Sequence, residues 1–472
     1  MSAVSHDAIV IGGGPGGYSA AIRLAQLGKR VLCVEKERLG GVCLNWGCMP
    51  SKALLHVGEV ISAARDVKAM GVEFGPPKID LNVLNSWKAK MIDDLVGGIG
   101  TLFKANKVEW VAGVASIVDD RTVSVKSAEA GAQERSAENL VIATGSEPIP
   151  LPGFERNGKT ILNSDDSVSL AELPKSILIL GAGVIGLEFA TIYRRLGAEV
   201  TVVELADRAL GDTDQEISTL LLRILKKQGI DVNLKTKAAS AQVKAGKVTV
   251  VLEGEINGSR EYEKVLVAVG RRPRTAGLGL EKLGLKTDRG FIGVDEQRRT
   301  NKKGVYAIGD CAGPPLLAHK AMKEGVVAAE AIAGMASAYD PMAVPNCVYT
   351  DPQVATAGLS EEAAKASGYD VSIGKFRLNA LGRARTVGIS DGMVKIVGDK
   401  KTDLVLGVHV VSPTAESMIG EAVIAIEMGA TVEDLGLSIH PHPTFAEPIM
   451  EAAEAMHGRA IHIVNAPVHA KT

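Results

Sequence analysis

Short apolar runs that end in glycine clusters recur along this chain, and each predicts a strand that feeds directly into a helix. In the first, residues 8–11 are Ala8, Ile9, Val10 and Ile11, and Gly12, Gly14 and Gly17 follow in G-x-G-x-x-G spacing. A helical rhythm then passes through Ile22, Leu24 and Leu27, and a second apolar run at 31–34 ends in Glu35. The first glycine permits a tight turn, the second lets backbone approach a pyrophosphate, and the third lets helix and strand pack closely. The helix N-terminus then faces the phosphates, and Glu35 is placed to accept from ribose hydroxyls.

The same pattern returns later in the chain. Residues 177–180 lead into Gly181, Gly183 and Gly186, then a helix, an apolar run at 200–203, and Glu204. The offset is 169 at every element: 181−12, 183−14, 186−17 and 204−35. A plain strand-to-helix turn would explain one loop, but a pair matched at four positions points to two dinucleotide-binding folds. Two such folds in one chain are economically explained by hydride moving between two bound dinucleotides, one a flavin and one a nicotinamide. Glu204 and Leu205 stand where a 2′-phosphate binder would want arginine, so NAD is favoured over NADP.

Composition narrows the class without changing this picture. At 472 residues the chain has room for two to four domains, and its 46% apolar and 23% charged content is that of a globular protein. Its 52 glycines suggest many tight turns near ligands. Lys plus Arg number 53 against 55 for Asp plus Glu, so no general field attracts nucleic acid or anionic membrane. The apolar stretch at 177–187 falls short of the roughly 18 residues that span a bilayer. Residues 1–7 lack the basic start of a signal peptide, which leads us to expect a cytoplasmic protein.

Only five cysteines are present, too few for a secreted disulfide scaffold. Two of them, Cys43 and Cys48, are five residues apart, a separation of about 8.7 Å between Cα atoms on a straight helix. A disulfide tolerates about 7 Å, so a regular helix would forbid the bridge. Gly40, Gly41 and Gly47, with Pro50 beyond, are the residues that would let the segment bend. A redox pair, a structural bridge and two unrelated buried thiols all fit this spacing. Half a zinc site fits poorly, because Cys33, Cys311 and Cys347 are scattered and supply no second pair of ligands.

Near the C-terminus, Ser438-Ile439-His440-Pro441-His442-Pro443-Thr444-Phe445-Ala446-Glu447 presents two of the nine histidines on a loop whose prolines prevent a regular helix before Thr444. Thiol–disulfide exchange needs a group titrating near neutral pH to take the proton of a substrate thiol, and histidine meets that need. Glu447 could hold the imidazole of His442 in one tautomer, as the acid of a triad does. An ordinary loop histidine is the alternative, and His440 receives no catalytic role.

The residues at 40–52, Gly-Gly-Val-Cys-Leu-Asn-Trp-Gly-Cys-Met-Pro-Ser-Lys, resemble the signature of the class I pyridine nucleotide-disulfide oxidoreductases. The likeness runs essentially end to end. It includes Ala143-Thr144-Gly145, the run 300–310 ending Tyr306-Ala307-Ile308-Gly309-Asp310, Leu317-Ala318-His319-Lys320, and the His-x-His-Pro-Thr loop. The resemblance implies a redox disulfide between Cys43, facing substrate, and Cys48, facing flavin. It implies Lys52 near flavin N5 and paired with Glu188, a charge that an otherwise apolar helix would have to partner. FAD, one per subunit and bound tightly without a covalent link, would contact Gly12, Gly14, Gly17, Glu35, Lys36, Gly41, Gly113, Thr144, Gly145, Asp310 and Ala318. Asp310 would bond the ribityl chain. NAD+/NADH would contact Gly181, Gly183, Gly186, Glu204 and Gly270.

The implied architecture is α/β, with two Rossmann-like dinucleotide-binding domains (glutathione reductase-like) plus an α+β C-terminal dimerisation domain. Expected boundaries are 1–147 for the FAD-binding domain, 148–272 for the NAD-binding domain, 273–344 for a central segment completing the FAD side, and 345–472 for the interface domain. The resemblance implies a homodimer in which the His442 loop serves the disulfide of the other subunit. Among family members the His-x-His form is nearest to those that oxidise protein-bound dihydrolipoamide. This implies partnership with lipoyl domains and the acyltransferase core of 2-oxo acid dehydrogenase complexes, or with the glycine cleavage system. No lipoyl segment precedes the first glycine loop, so lipoyl groups are expected on another protein. Glu204 disfavours the NADP-dependent reductases, the tail from Val464 lacks the cysteine pair of mercuric reductases, and a transhydrogenase would not need the Cys43/Cys48 pair. Val42, Trp46 and Met49 depart from residues frequent in the family, and Trp46 narrows the expected approach to the disulfide.

Overall fold

The computed structural model describes residues 5–128 and 130–465. The chain start (1–4) and the tail from 466 on, which the signal-peptide and mercuric-reductase readings partly use, lie outside the described residues. The chain divides into two compact units. One is built from the chain up to Leu151, Leu162–Glu172 and Val269–Asp340; the other from Pro152–Ile161, Leu173–Ala268 and the chain from Pro341 on.

In the first unit, strands Glu109–Ala112, Val31–Glu35, His6–Ile11, the end of Gly131–Ile142 and Val305–Ala307 lie parallel in that order. Side chains alternate across this sheet, so Ala8 and Val10 enter one core with Leu24 and Phe103. Ile9 and Ile11 enter the opposite core with Leu140 and Ile142. Both faces are covered, which is why these strands are apolar without interruption. Helix Pro15–Gln26 packs so closely on helix Ala318–Ile332 that a Cβ at Gly325 would stand 2.4 Å from the carbonyl oxygen of Gly16. A short antiparallel ladder, Ser146–Pro148 with Arg271–Pro273, ties two distant stretches of this unit together.

The second unit repeats the parallel theme with strands Ile230–Asn233, Glu199–Val203, Ser176–Leu180 and Lys264–Val267. It also holds a five-stranded antiparallel sheet in the order Asn346–Val348, Gln353–Gly358, Val405–Ser412, Met393–Asp399, Val371–Arg377. Helices Ala415–Glu427 and Glu447–Met456 contribute Met418, Ile419, Ile449 and Ala452 to the core beside it. This α+β region at the C-terminal end and the two glycine-loop folds give the expected fold class. Lys395 in the fully buried strand Met393–Asp399 pairs with Asp214 at 2.9 Å and Glu361 at 2.8 Å. Asp214 also caps helix Gln215–Lys227 by accepting from the Glu216 amide. One buried ion cluster therefore fixes the start of that helix to the antiparallel sheet.

Candidate active site

The first glycine loop is shaped by backbone geometry. Gly12 has φ +111°, and a Cβ there would lie 2.3 Å from the Ala143 carbonyl oxygen. A Cβ at Gly17 would lie 1.8 Å from the Gly12 carbonyl oxygen. Gly14 starts helix Pro15–Gln26 with no side-chain cap, leaving the first-turn amides for a ligand. The buried Glu35 carboxylate accepts from Gly13 N at 2.7 Å and Glu37 N at 2.9 Å.

The second loop copies this bond for bond. Gly181 has φ +108°, a Cβ at Gly186 would lie 2.0 Å from Gly181 O, and Gly183 starts its helix uncapped. Glu204 accepts from Ala182 N at 2.8 Å and Ala206 N at 2.8 Å. The 169-residue offset thus extends to the donors, Gly13 with Ala182 and Glu37 with Ala206. Each acid holds its own loop and keeps lone pairs for ribose hydroxyls. Uncapped helix starts beside side-chain-free glycines fit the phosphates of a dinucleotide at both places.

The other residues proposed for the first dinucleotide cluster in the same unit. Gly41 (φ +56°) packs on the loop, where a Cβ would be 2.7 Å from Gly14 Cα. The Gly113 amide bonds the Glu35 carbonyl at 2.9 Å, and Lys36 is exposed beside Glu37 at 3.1 Å. Thr144 lies between Ala143, which abuts Gly12, and Gly145 (φ +70°). Asp310 accepts from the Ser146 hydroxyl at 2.5 Å, and Ala318 opens helix Ala318–Ile332. Gly270, proposed for the second dinucleotide, falls in the first unit, bonded through its carbonyl to Ile149 N.

The cysteine segment is broken where the glycines predicted. Helix Gly41–Asn45 ends at Trp46, Gly47 adopts φ −130° and ψ −106°, and helix Cys48–Asp66 starts at Cys48 itself. The Asn45 side chain staples the bend by donating to the carbonyls of Leu39 and Gly41. Cys43 and Cys48 are thiols in mutual hydrogen bond. That bond and burial push the Cys43 thiol up, while nearby Lys52 pulls it down. A thiolate at Cys48 would meet the positive end of a 19-residue helix. The geometry suits a sulfur pair cycling between dithiol and disulfide.

In the second unit Glu188 is buried and accepts from Tyr349 N at 3.0 Å. His442 is 75% exposed at its side chain, with Nδ1 held by Glu447 Oε1 at 2.7 Å. Glu447 Oε2 accepts from Thr444 N at 2.7 Å, so the carboxylate fixes both loop and ring. His442 Nε2 is thereby presented outward. His440 has the opposite setting: its side chain is 5% exposed, and it bonds Glu421 at 2.8 Å and the Ser438 carbonyl at 2.9 Å. Glu421 raises its pKa. Beside the loop lies a cleft of about 360 Å³ lined by Arg383, Met418, Glu421, Thr444 and Phe445.

Sequence reasoning missed Ser146, which donates to Asp310, and Arg271, which donates to Ser146, as well as the buried Lys320 and Glu324 with the half-buried Arg298 around the same turn. Lys320 and Glu324 did carry a signal, as opposite charges four apart on one helix face.

The comparisons with known proteins agree with this geometry. Residues 6–325 match the pyridine nucleotide-disulphide oxidoreductase family, and residues 344–453 match the dimerisation domain of the same family. A dihydrolipoyl dehydrogenase of Thermus scotoductus is 50% identical over 466 residues, covering 98% of this chain and 99% of that one. One from Geobacillus stearothermophilus is 44% identical, with 98% of each covered. Among solved structures, LpdA from Mycobacterium tuberculosis superposes with a TM-score of 0.88 at 28% identity, over 95% of this chain and 99% of that one. A cysteine pair at a helix start, two matched glycine loops and this full-length likeness have one explanation: the chain belongs to the pyridine nucleotide-disulphide oxidoreductase family.

Proposed function

We propose that the chain is a dihydrolipoyl dehydrogenase, oxidising protein-bound dihydrolipoamide to lipoamide with NAD+ as acceptor. The observation that carries this reading is the Cys43/Cys48 pair, held in mutual contact at the start of helix Cys48–Asp66. His442 Nε2 takes a proton from a substrate thiol, with Glu447 holding Nδ1 and stabilising the imidazolium. The substrate thiolate attacks Cys43 Sγ, the Cys43–Cys48 bond breaks, and Cys48 leaves as a thiolate. The second substrate thiol attacks the substrate sulfur of the mixed disulfide, and Cys43 leaves taking up its proton. Lipoamide departs oxidised, and the cysteine pair holds two electrons. Bound at the residues proposed for it below, FAD would supply the two-electron chemistry that links the cysteine pair to NAD+.

The residues proposed for each cofactor follow the two loops. Gly12, Gly14, Gly17, Glu35, Gly41, Gly113, Thr144, Gly145, Asp310 and Ala318 would hold FAD non-covalently, with Lys36 at its edge. Gly181, Gly183, Gly186, Glu204 and Gly270 would receive NAD. Lys52 and Glu188 are read as the charge pair beside the flavin. The exposed His442, with exposed Leu437 and Ile439 beside it, supports a dimer in which the His442 loop of one protomer serves the cysteine pair of its partner. Lipoyl domains of 2-oxo acid dehydrogenase complexes or of the glycine cleavage system would deliver the substrate in the cytoplasm. Among the described residues, no helix is long and apolar enough to cross a membrane.

The test is Cys48→Ser assayed with dihydrolipoamide and NAD+. Turnover should be lost while bound flavin is retained; wild-type turnover would refute the scheme.

A further inference from the structure

Asp310 is held by more than its own turn. The Ser146 hydroxyl bonds Asp310 Oδ2 at 2.5 Å, within the short range of charge-assisted O–H···O⁻ contacts. Arg271 reaches across the ladder from the neighbouring strand, bonding Ser146 Oγ through Nε at 2.8 Å and the Ser146 carbonyl through Nη2 at 2.9 Å. The chemistry fixes the direction of this chain. A guanidinium only donates and an ionised carboxylate only accepts, so the single Ser146 proton must point to Asp310. Ser146 is 2% exposed, so no solvent competes for that proton.

A partly buried guanidinium is costly to keep unless acidic neighbours offset its desolvation. Burial lowers the pKa of Arg271, and the charges of Asp165 and Asp310 act against that shift. The backbone of the turn is fixed from its other side. Gly309 N donates to the fully buried Glu324 at 2.7 Å, and Lys320 Nζ donates to the Gly313 carbonyl at 2.6 Å. Arg298 in turn bonds Glu324 at 2.8 Å. Between these two supports Asp310 has Oδ2 occupied, and among the described residues nothing bonds Oδ1, which is left for a ligand hydroxyl.

We propose that Arg271 and Ser146 are positioning residues for the flavin site, forming a relay that holds Asp310 in one orientation toward the cofactor's hydroxyl-bearing chain. The relay rests on reading Asp310 as a cofactor ligand. The charge of Arg271 also reaches Cys48, but the relay acts on Asp310, so its effect is read first in cofactor retention.

The test is titration of the apoprotein with FAD, followed by flavin fluorescence. Ser146→Ala and Arg271→Met should each weaken binding by about tenfold, the scale of one lost charge-assisted hydrogen bond. The double variant should bind about as Arg271→Met does, because both changes cut one chain. Ser146→Thr, which keeps the hydroxyl, should stay within about threefold of the unsubstituted protein. Unchanged affinity in Ser146→Ala and Arg271→Met alongside a loss in Asp310→Ala would overturn the relay alone. Unchanged affinity in Asp310→Ala would overturn both the relay and the reading of Asp310. Should Arg271→Met fail to fold, Ser146→Ala against Ser146→Thr decides: equal affinities contradict the relay, and a loss confined to alanine supports it.

Discussion

The two glycine loops share a skeleton and differ in what covers them. At both, a terminal glutamate accepts from the loop and from the residue two positions after itself. At the first, the chain leading to Cys43 folds back onto the loop, with Gly40 N donating to Gly13 O at 2.8 Å and Gly41 set against Gly14. At the second, Leu210 N donates to the equivalent carbonyl, Ala182 O, at 3.1 Å, but among the described residues nothing lies within 4 Å of a Cβ on Gly183, and Leu205 is 72% exposed. The same local fold can therefore enclose a resident cofactor or leave a cosubstrate free to exchange. What distinguishes them is the covering segment.

The largest effect should come from the third glycine of each loop. Gly17→Ala places a methyl 1.8 Å from a backbone oxygen, so the purified protein should carry almost no flavin by its visible absorbance. Gly186→Ala, with the same clash at 2.0 Å, should keep its flavin and lose NAD+ reduction. Equal flavin loss in both would break the distinction. Next come the covering contacts: Gly41→Ala should release flavin readily, whereas Gly183→Ala, whose methyl would stand where the backbone is to approach a pyrophosphate, should raise the KM for NAD+ with flavin content unchanged. Glu204→Gln should raise that KM by about tenfold with flavin content unchanged, the cost of weakening charged hydrogen bonds.

The smallest effect concerns pH and two buried lysines. In the first unit Lys88 donates to Asn85 and to the Val168 carbonyl, and burial lowers its pKa to about 8. The unfolded chain binds more protons there, so this lysine's contribution to stability should rise as pH climbs from about 8 toward its ordinary value near 10.5. In the second unit burial pushes Lys395 down, but its bonds to Glu361 and Asp214 prevail and raise it. Its contribution is complete below the ordinary lysine value and is lost as pH rises through the higher folded value. Thermal unfolding of Lys88→Met and Lys395→Met against pH should give differences from the unsubstituted protein of opposite slope in alkaline solution.

The loops, the acids and the break before Cys48 were legible because each is local: strand, glycine spacing and bend lie within a few tens of residues. The repeat even foretold hydrogen bonds it did not name, since Ala182 and Ala206 occupy the places of Gly13 and Glu37. Ser146 and Arg271 were not legible, because they are 125 residues apart and separately look like a turn serine and a surface arginine. Only the short ladder Ser146–Pro148 with Arg271–Pro273 brings them together. His440 escaped for a similar reason, as its partner Glu421 sits on helix Ala415–Glu427, before the loop begins.

The central claim is that Cys43 and Cys48 are the redox pair, with Cys48 toward the flavin. Anaerobic titration of the holoprotein with dihydrolipoamide tests it directly. After two electron equivalents a long-wavelength thiolate-to-flavin band should appear; in Cys43→Ser, which has no disulfide to reduce, the band should be present without reductant at suitable pH, and in Cys48→Ser it should be absent. Reduction with no such band in the unsubstituted protein, or a band that survives loss of Cys48, would contradict the account.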